Sequence, residues 1–449
     1  MIAINFRIGG LFRLRRFIAL NCGRAVRFPY KVRGIVRMIQ VAVMGHGVVG
    51  GGVTEILLKH ADSIAKKVKE EVYLKRVLDL REFPDSPIAD RFTKDFNDII
   101  SDDEISIVVE VMGGLNPAYT FVKQCLEKGK SVVTSNKELV AAKGAELLAI
   151  AKDKNVNFLF EASVGGAIPI IRPLHQCLAA NEIEKINGIL NGTTNFILNK
   201  MINDNMSFED ALALAQEKGY AERNPAADIE GHDACRKICI LAALVYGTHV
   251  YPESVHTEGI TKVTLKDVEY AKAWGGAVKL IASARKNGDK VEIITAPMFV
   301  SGDCQLSNVD GVYNELLVRG DSSGTIGFYG RGAGKLPTAS AVVADVMDCV
   351  LHKEERRNIM WADGDGSNVL PYEGYVNAMY VLANADDESA ALAKAGEIFG
   401  ECVKIEKAGA ECGEIAFITP ELAYSDFTAR CAEFAKCADV KATIRVAKI

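Results

Sequence analysis

The sequence predicts an α/β protein in which a doubly wound, mostly parallel sheet is followed by a smaller α+β domain and a C-terminal ferredoxin-like βαββαβ unit. Three observations predict it. Strand-like and helical patterns alternate from Ile39 to about Ser163, as in a parallel sheet with helical crossovers. The first strand runs straight into a glycine turn that opens a helix. Between Tyr375 and Val446 the order is strand, helix, strand, strand, helix, strand.

Residues 1–37 carry eight Arg, one Lys and no acid, so the rest of the chain is more acidic than the formal net charge of −5 suggests. This leader reads as a disordered extension, or as sequence upstream of a start at Met38; an Arg-rich organellar presequence is the alternative. It lacks the regularly interleaved aromatic residues of a nucleic-acid platform, so no nucleic-acid partner is expected.

The first strand, Ile39–Met44, ends in Gly45-His46-Gly47-Val48-Val49-Gly50, followed by the helical pattern Val53–Leu58. Gly45 permits a tight turn, Gly47 lets backbone approach a pyrophosphate, and Gly50 lets helix and strand pack closely. The helix start at Val48 and Val49 then faces phosphates. Buried strands follow at Tyr73–Leu80, Ile105–Val111, Ser131–Thr134 and Val156–Phe160, with helices at Ala118–Lys128 and Leu139–Lys152. The turn containing Gly113 falls at a strand's carboxyl end, where ligands of such sheets bind. These elements define a Rossmann-type NAD(P)-binding domain over 38–165, completed by 325–350. At the end of the second strand, Asp79 would bond a ribose 2′-hydroxyl and favour NAD, whereas Arg81 would pair with a 2′-phosphate and favour NADP. Asp79 lies beyond the usual spacing of about 20 residues after the glycines, which tips the reading to NADP with NAD tolerated.

The loop Phe158–Pro169 is too glycine-rich for regular structure and frees its carbonyls. Strand character at 183–190, 291–299 and 311–319 marks a second, substrate-binding and dimerisation domain over 166–324. A second glycine cluster, Gly330–Gly334, leads into a helix at Ala339–Val350 that should return beside the cofactor. A polar linker over 351–370 precedes the tail, 371–449. No run of about 18 apolar residues occurs, so no membrane span is expected. The eleven cysteines show no CxxC and read as reduced thiols; a zinc site on His232, Cys235 and Cys239 is disfavoured.

The densest chemistry lies in Gly219–Lys237. Asp233 and Lys237 are four apart at the start of an apolar stretch and share a helix face. A buried acid and lysine there can hold a cationic group and move a proton; the plainer alternative is an ion pair at a solvated helix start.

Taken together, Gly45–Gly52, Thr134–Glu138, Glu161–Pro169, Gly188–Asn195, Gly219–Lys237 and Gly332–Ala339 resemble the homoserine dehydrogenase family, and the tail resembles an ACT regulatory domain. The resemblance implies NAD(P)-dependent interconversion of L-aspartate 4-semialdehyde and L-homoserine, in threonine, methionine and isoleucine biosynthesis. It implies that Lys237 exchanges the proton with the reacting oxygen and that Lys137 reaches both cofactor and substrate. Glu222 and Asp233, supported by Asp228, would hold the substrate amino group, with Tyr220 and Thr193 lining the pocket. Gly219 and Gly332 match cofactor-contacting positions, and Glu161, Val164, Gly166 and Ile168 match a monovalent cation site for Na⁺ or K⁺. The leader carries no convincing transit signal, which makes the cytoplasm the default location; the resemblance also implies a homodimer or homotetramer assembled through the second domain. The turn Ala385-Asp386-Asp387-Glu388-Ser389 lacks the Pro and Gly of amino-acid-binding ACT turns, and its acids oppose a ligand carboxylate, which counts against threonine as effector. A non-catalytic sensor is the rival reading; loss of Lys137 or Lys237 would mark it, and both are present.

Overall fold

The computed structural model describes residues 38–449, which form one compact unit; the expectations for the leader lie outside the described residues. The first part of the chain runs β1 (Met38–Met44), α1 (Val48–Lys59), α2 (Ala61–Val68), β2 (Glu71–Leu78), β3 (Phe92–Thr93), α3 (Asn97–Ile100), β4 (Ile105–Glu110), α4 (Ala118–Glu127), β5 (Ser131–Thr134), α5 (Lys137–Asp153) and β6 (Phe158–Leu159). Its six strands pair in parallel in the order β3-β2-β1-β4-β5-β6. Val41–Met44 on β1 and Val108 and Val109 on β4 are wholly buried, as strands covered on both faces must be. The strand order reverses between β1 and β4, and the crevice outside their carboxyl ends is where such sheets bind ligands.

The second part runs β7 (Ile183–Ile189), α6 (Gly192–Asp204), α7 (Phe208–Glu217), α8 (Ala226–Ile229), α9 (His232–Tyr246), β8 (His256–Thr257), α10 (Leu265–Ala273), β9 (Gly276–Asn287), β10 (Lys290–Ser301), β11 (Tyr313–Gly320), β12 (Gly324–Arg331) and α11 (Lys335–Leu351). Of the stretch 325–350 expected to complete the nucleotide unit, only the helix does so. Residues 324–331 instead pair antiparallel with β11 across a short turn and become the edge of the second sheet. Helix α11 packs on α1 through Gly52, where a Cβ would come within 2.8 Å of Lys335 O and 2.9 Å of the Ala339 Cβ.

The tail runs β13 (Val376–Asn377), β14 (Met379–Asn384), α12 (Glu388–Phe399), β15 (Val403–Lys404), β16 (Glu414–Ile418), β17 (Leu422–Ala423), α13 (Tyr424–Phe434) and β18 (Asp439–Val446). Its main strands lie in the order β18-β14-β16-β15, each antiparallel to its neighbour, the βαββαβ arrangement the pattern predicts. Strand β18 also pairs with β10 through Met298↔Arg445 and Phe299↔Val446, so the tail and the second unit share a single ten-stranded sheet.

The stretch 351–370, expected as a linker, is a packed strap. Trp361 is 4% exposed and lies over Gly144, where a Cβ would sit 2.6 Å from its ring. Its Nε1 donates to His249 Nδ1 at 2.9 Å, and His249 Nε2 bonds Ala141 O at 2.8 Å. Polar composition conceals this packing, because one tryptophan, with Ile359 and Val369 beside it in the buried core, supplies the apolar contact.

Candidate active site

The glycine turn adopts the geometry its spacing predicts. Gly45 has φ +98°, and a Cβ there would meet Val111 O at 3.0 Å; a Cβ at Gly50 would overlap Gly45 O. Gly47 is the N-cap of α1, with no side chain capping the helix and open space where a Cβ would stand. Uncapped amides at a helix start beside open space fit an anionic phosphate group. Val48 and Val49 begin the helix, and Val48 is exposed. Asp79, just past β2, accepts from His46 N at 2.8 Å and receives the Arg81 guanidinium, Nε to Oδ1 at 2.9 Å and Nη2 to Oδ2 at 2.8 Å. The Arg81 hydrogen bonds hold the Asp79 carboxyl well below the usual range, while the Arg81 side chain stays 61% exposed. Gly113, φ +78° with nothing near its Cβ position, sits at the mouth of the β1/β4 crevice.

A second group of residues gathers around the buried carboxylate of Asp233. Its Oδ1 pairs with Lys137 Nζ at 2.8 Å and its Oδ2 with Lys237 Nζ at 2.8 Å. Helix periodicity accounts for the second pair, which is i,i+4; the first joins the start of α5 to the start of α9. Lys237 also donates to Leu190 O at 2.7 Å. Burial opposes ionisation of Asp233, but the two ammonium groups win and hold its carboxyl far below the ordinary range. The same charge raises the pKa of the half-buried Lys137. Asp233 and Lys137 are therefore both charged at neutral pH.

The sequence pattern does not single out Asn191, although this residue opens the Asn191–Asn195 motif. As the N-cap of α6 its Oδ1 accepts from Thr194 N at 2.8 Å, which turns its Nδ2 toward Asp228 Oδ1 (2.7 Å) and Asp233 Oδ2 (2.9 Å). One amide thus bridges two carboxylates that would otherwise repel; burial, then the Asp233 charge, raises the Asp228 pKa. Thr193 Oγ1 donates to Tyr220 O at 2.7 Å, and the Tyr220 ring packs on Phe196 with centroids 5.0 Å apart. Glu222 is exposed, and its side chain makes no hydrogen bond among the described residues; it is not drawn into the cluster. Gly219 has φ +72° and follows Lys218, the C-cap of α7.

Gly332 is packed rather than open: a Cβ there would overlap the Asn314 side chain, and one at Gly166 would overlap Gly332 O. The carbonyls of Val164, Gly166 and Ile168 accept no hydrogen bond among the described residues. The Glu161 side chain is already engaged, accepting from Ile170 N (2.6 Å), Ile171 N (2.8 Å) and Arg172 N (2.8 Å). No group of three or more His, Cys, Asp or Glu is placed to hold a metal among the described residues. A cavity of about 470 Å³ beside Tyr246 includes none of these residues.

Comparison with known proteins agrees with this geometry. Residues 45–161 match the family model described as homoserine dehydrogenase, NAD binding domain, and residues 169–347 match the model described as homoserine dehydrogenase. The homoserine dehydrogenase of Bacillus subtilis is 35% identical over 429 residues, 92% of this chain and 99% of the relative. That of Pseudomonas aeruginosa is 38% identical over 374 residues, 82% and 86% of the two chains. The crystal structure of a homoserine dehydrogenase from Thiobacillus denitrificans superposes with a TM-score of 0.84 at 35% identity, covering 92% of this chain and 99% of the other. A hyperthermophilic archaeal homoserine dehydrogenase mutant in complex with NADPH superposes at 0.61 and 28% identity, covering 70% and 98%. No helix among the described residues is long and apolar enough to cross a membrane. With matching family models on both units and relatives aligned along nearly its whole described length, the chain belongs to the homoserine dehydrogenase family.

Proposed function

We propose that the chain interconverts L-aspartate 4-semialdehyde and L-homoserine with a nicotinamide cofactor bound in the β1/β4 crevice. The observation that carries this reading is Asp233 held at 2.8 Å by both Lys137 and Lys237. The cofactor, when bound, supplies or accepts the hydride. The ammonium of Lys237 donates the proton to the aldehyde oxygen as negative charge develops there and recovers it in the reverse direction, and Asp233 keeps that ammonium oriented. Lys137, at the first turn of α5, stands between the cofactor crevice and the substrate space. Asp228, Asp233 and the exposed Glu222 offer carboxylate oxygens to the substrate ammonium, with Thr193 and Tyr220 as the wall.

For the cofactor, the reading is NADP with NAD tolerated. Asp79 has both oxygens taken by Arg81 and His46 N, and the exposed guanidinium is left to meet a 2′-phosphate. The unpaired carbonyls of Val164, Gly166 and Ile168 suit a hard monovalent cation, with Glu161 supplying backbone only. In the tail, Asp387 caps α12 through Ala390 N at 3.0 Å and Glu388 accepts from Gly413 N at 2.9 Å. One donor at that helix start and the amide of Gly413 are thus answered by the chain's own acids, and the tail is read as a brace rather than a threonine site. The unpaired outer edge of β12, with Tyr329 exposed, supports assembly of a homodimer or homotetramer through the second unit; the compartment that fits this biosynthetic reading is the cytoplasm.

The test is loss of reduced-nicotinamide absorbance with aspartate semialdehyde, NADPH and NADH in parallel, in the wild type and in Arg81→Ala. Turnover with NADPH preferred, and a roughly tenfold rise in KM for NADPH but not NADH in the variant, is the expected result. Absence of turnover with either cofactor in folded protein would refute the reading.

A further inference from the structure

One fully buried carboxylate beside the site has no part in the chemistry above. Glu110 is the last residue of β4, at the crevice, and is 0% exposed. Its Oε1 accepts from Met112 N at 2.8 Å and Gly113 N at 3.3 Å, and its Oε2 accepts from Thr134 Oγ1 at 2.6 Å. Thr134 Oγ1 in turn accepts from Asn136 N at 2.9 Å. Asn136 caps α5 by accepting from Leu139 N at 3.1 Å, and its Nδ2 donates to Gly114 O at 2.6 Å. These bonds close a ring through the turn 112–114, the end of β5 and the cap of α5. Lys137 is the next residue.

Because every partner of the Glu110 carboxylate is a donor, the ring is complete only when that group accepts on both oxygens. An ionised group without a counter-cation is costly to bury, and burial does push the Glu110 pKa up. The local fold alone does not require a charge there, since an apolar strand end would serve packing.

We infer that Glu110 is a positioning residue that fixes the cofactor-side turn and the first turn of α5 relative to one another, and through them the reach of Lys137. The inference rests on the role proposed for Lys137 and goes beyond it: the lysine is placed by a ring whose origin lies 27 residues earlier in the chain, at a strand end, rather than by its own helix alone.

The test compares Glu110→Gln, Thr134→Val and Thr134→Ser in the wild-type and Lys137→Ala backgrounds. Residual rates are read in single turnovers at high enzyme concentration, binding of NADPH by nicotinamide fluorescence, and folding by thermal unfolding. A displaced reacting group costs up to about a hundredfold. Glu110→Gln and Thr134→Val are therefore expected to lower kcat roughly ten- to a hundredfold and to weaken NADPH binding. Thr134→Ser, which keeps the hydroxyl, is expected to stay within about threefold of wild type, and neither loss in kcat should persist once Lys137 is removed. The Thr134 pair carries the test if Glu110→Gln does not fold. Losses that multiply with Lys137→Ala, or a Thr134→Ser variant as impaired as Thr134→Val, would overturn the inference. A Lys137→Ala enzyme with unchanged kcat would instead refute the role given to Lys137, while weakened NADPH binding in Glu110→Gln would still report the ring's hold on the turn.

Discussion

Lys237 and Lys279 are both buried, at 8% and 1% exposure, and each donates to a backbone carbonyl at 2.7 Å, Leu190 O and Val309 O. Both lie against the start of α6, beside Asn191 and Asn195, which are one turn apart. They differ in their counter-ions. Lys237 has Asp233 at 2.8 Å. Lys279 makes no ion pair among the described residues, and the acid that acts on it from nearby, Asp310, is itself held by Asn199 at 2.5 Å. Burial accordingly pulls the Lys279 pKa down to about 8. The comparison teaches that a carboxylate within reach offsets the burial of an ammonium and aims it, whereas burial without one loosens the proton, as at Lys279, which becomes a pH-sensitive prop for the loop 309–313.

The largest expected effect tests the first half of that contrast. Lys237→Met should lower kcat by about 10²- to 10⁴-fold, the usual worth of a positioned acid, with thermal unfolding little changed because Lys137 and Asn191 still hold Asp233; steady-state kinetics beside calorimetry would show it. Retained kcat would end the contrast between the two lysines. Next comes Asp233→Asn, which strips both ammonium groups of their shared counter-ion. Breaking a buried pair on one side costs about 3–5 kcal/mol, read in urea unfolding, with a fall in kcat alongside.

The smallest effect belongs to Lys279→Met. Val309 O keeps a donor in Asn195 Nδ2 at 3.0 Å, so at pH 7 the change in stability should stay within about 1 kcal/mol, and kcat should stay within about twofold. Its signature is the pH slope. Between about pH 8 and the ordinary lysine value of 10.5 the unfolded chain holds a proton that the folded one has released, so stability contributed by this site rises with pH. The wild type minus Lys279→Met difference in unfolding free energy should therefore climb across that window; a flat difference would show that burial does not lower the Lys279 pKa.

How much can be read in the sequence follows the distance along the chain over which each contact acts. The Gly45, Gly47 and Gly50 turn and the Asp233–Lys237 pair are local patterns, and the structure shows them as predicted. The meeting of Lys137 with Asp233 spans nearly a hundred residues, and only resemblance places both in one site. Asn191 and Glu110 give no sequence signal because the partners that draw them into the site, the carboxylates of Asp228 and Asp233 and the hydroxyl of Thr134, lie 24 to 42 residues away along the chain and leave no periodic trace. Strand β9 escapes the pattern because Val278–Ala282 is a buried run interrupted by Lys279, which hides both alternation and apolarity. Glu222, expected in the cluster, is exposed, since the bend around Asn224 and Pro225 separates it from α9.

The two residue pairs that weld β18 to β10 also decide how the molecule comes apart. Arg445, whose neighbour Val446 completes that seam, is 3% exposed and grips Glu258 with both terminal nitrogens at 2.8 Å. Removing the tail would bare the flank of β10 and strand Glu258 without its cation. The natural unit for melting, for proteolysis and for transplantation into another enzyme is accordingly the whole of residues 38–449, and a cut at the strap would leave two adhesive halves.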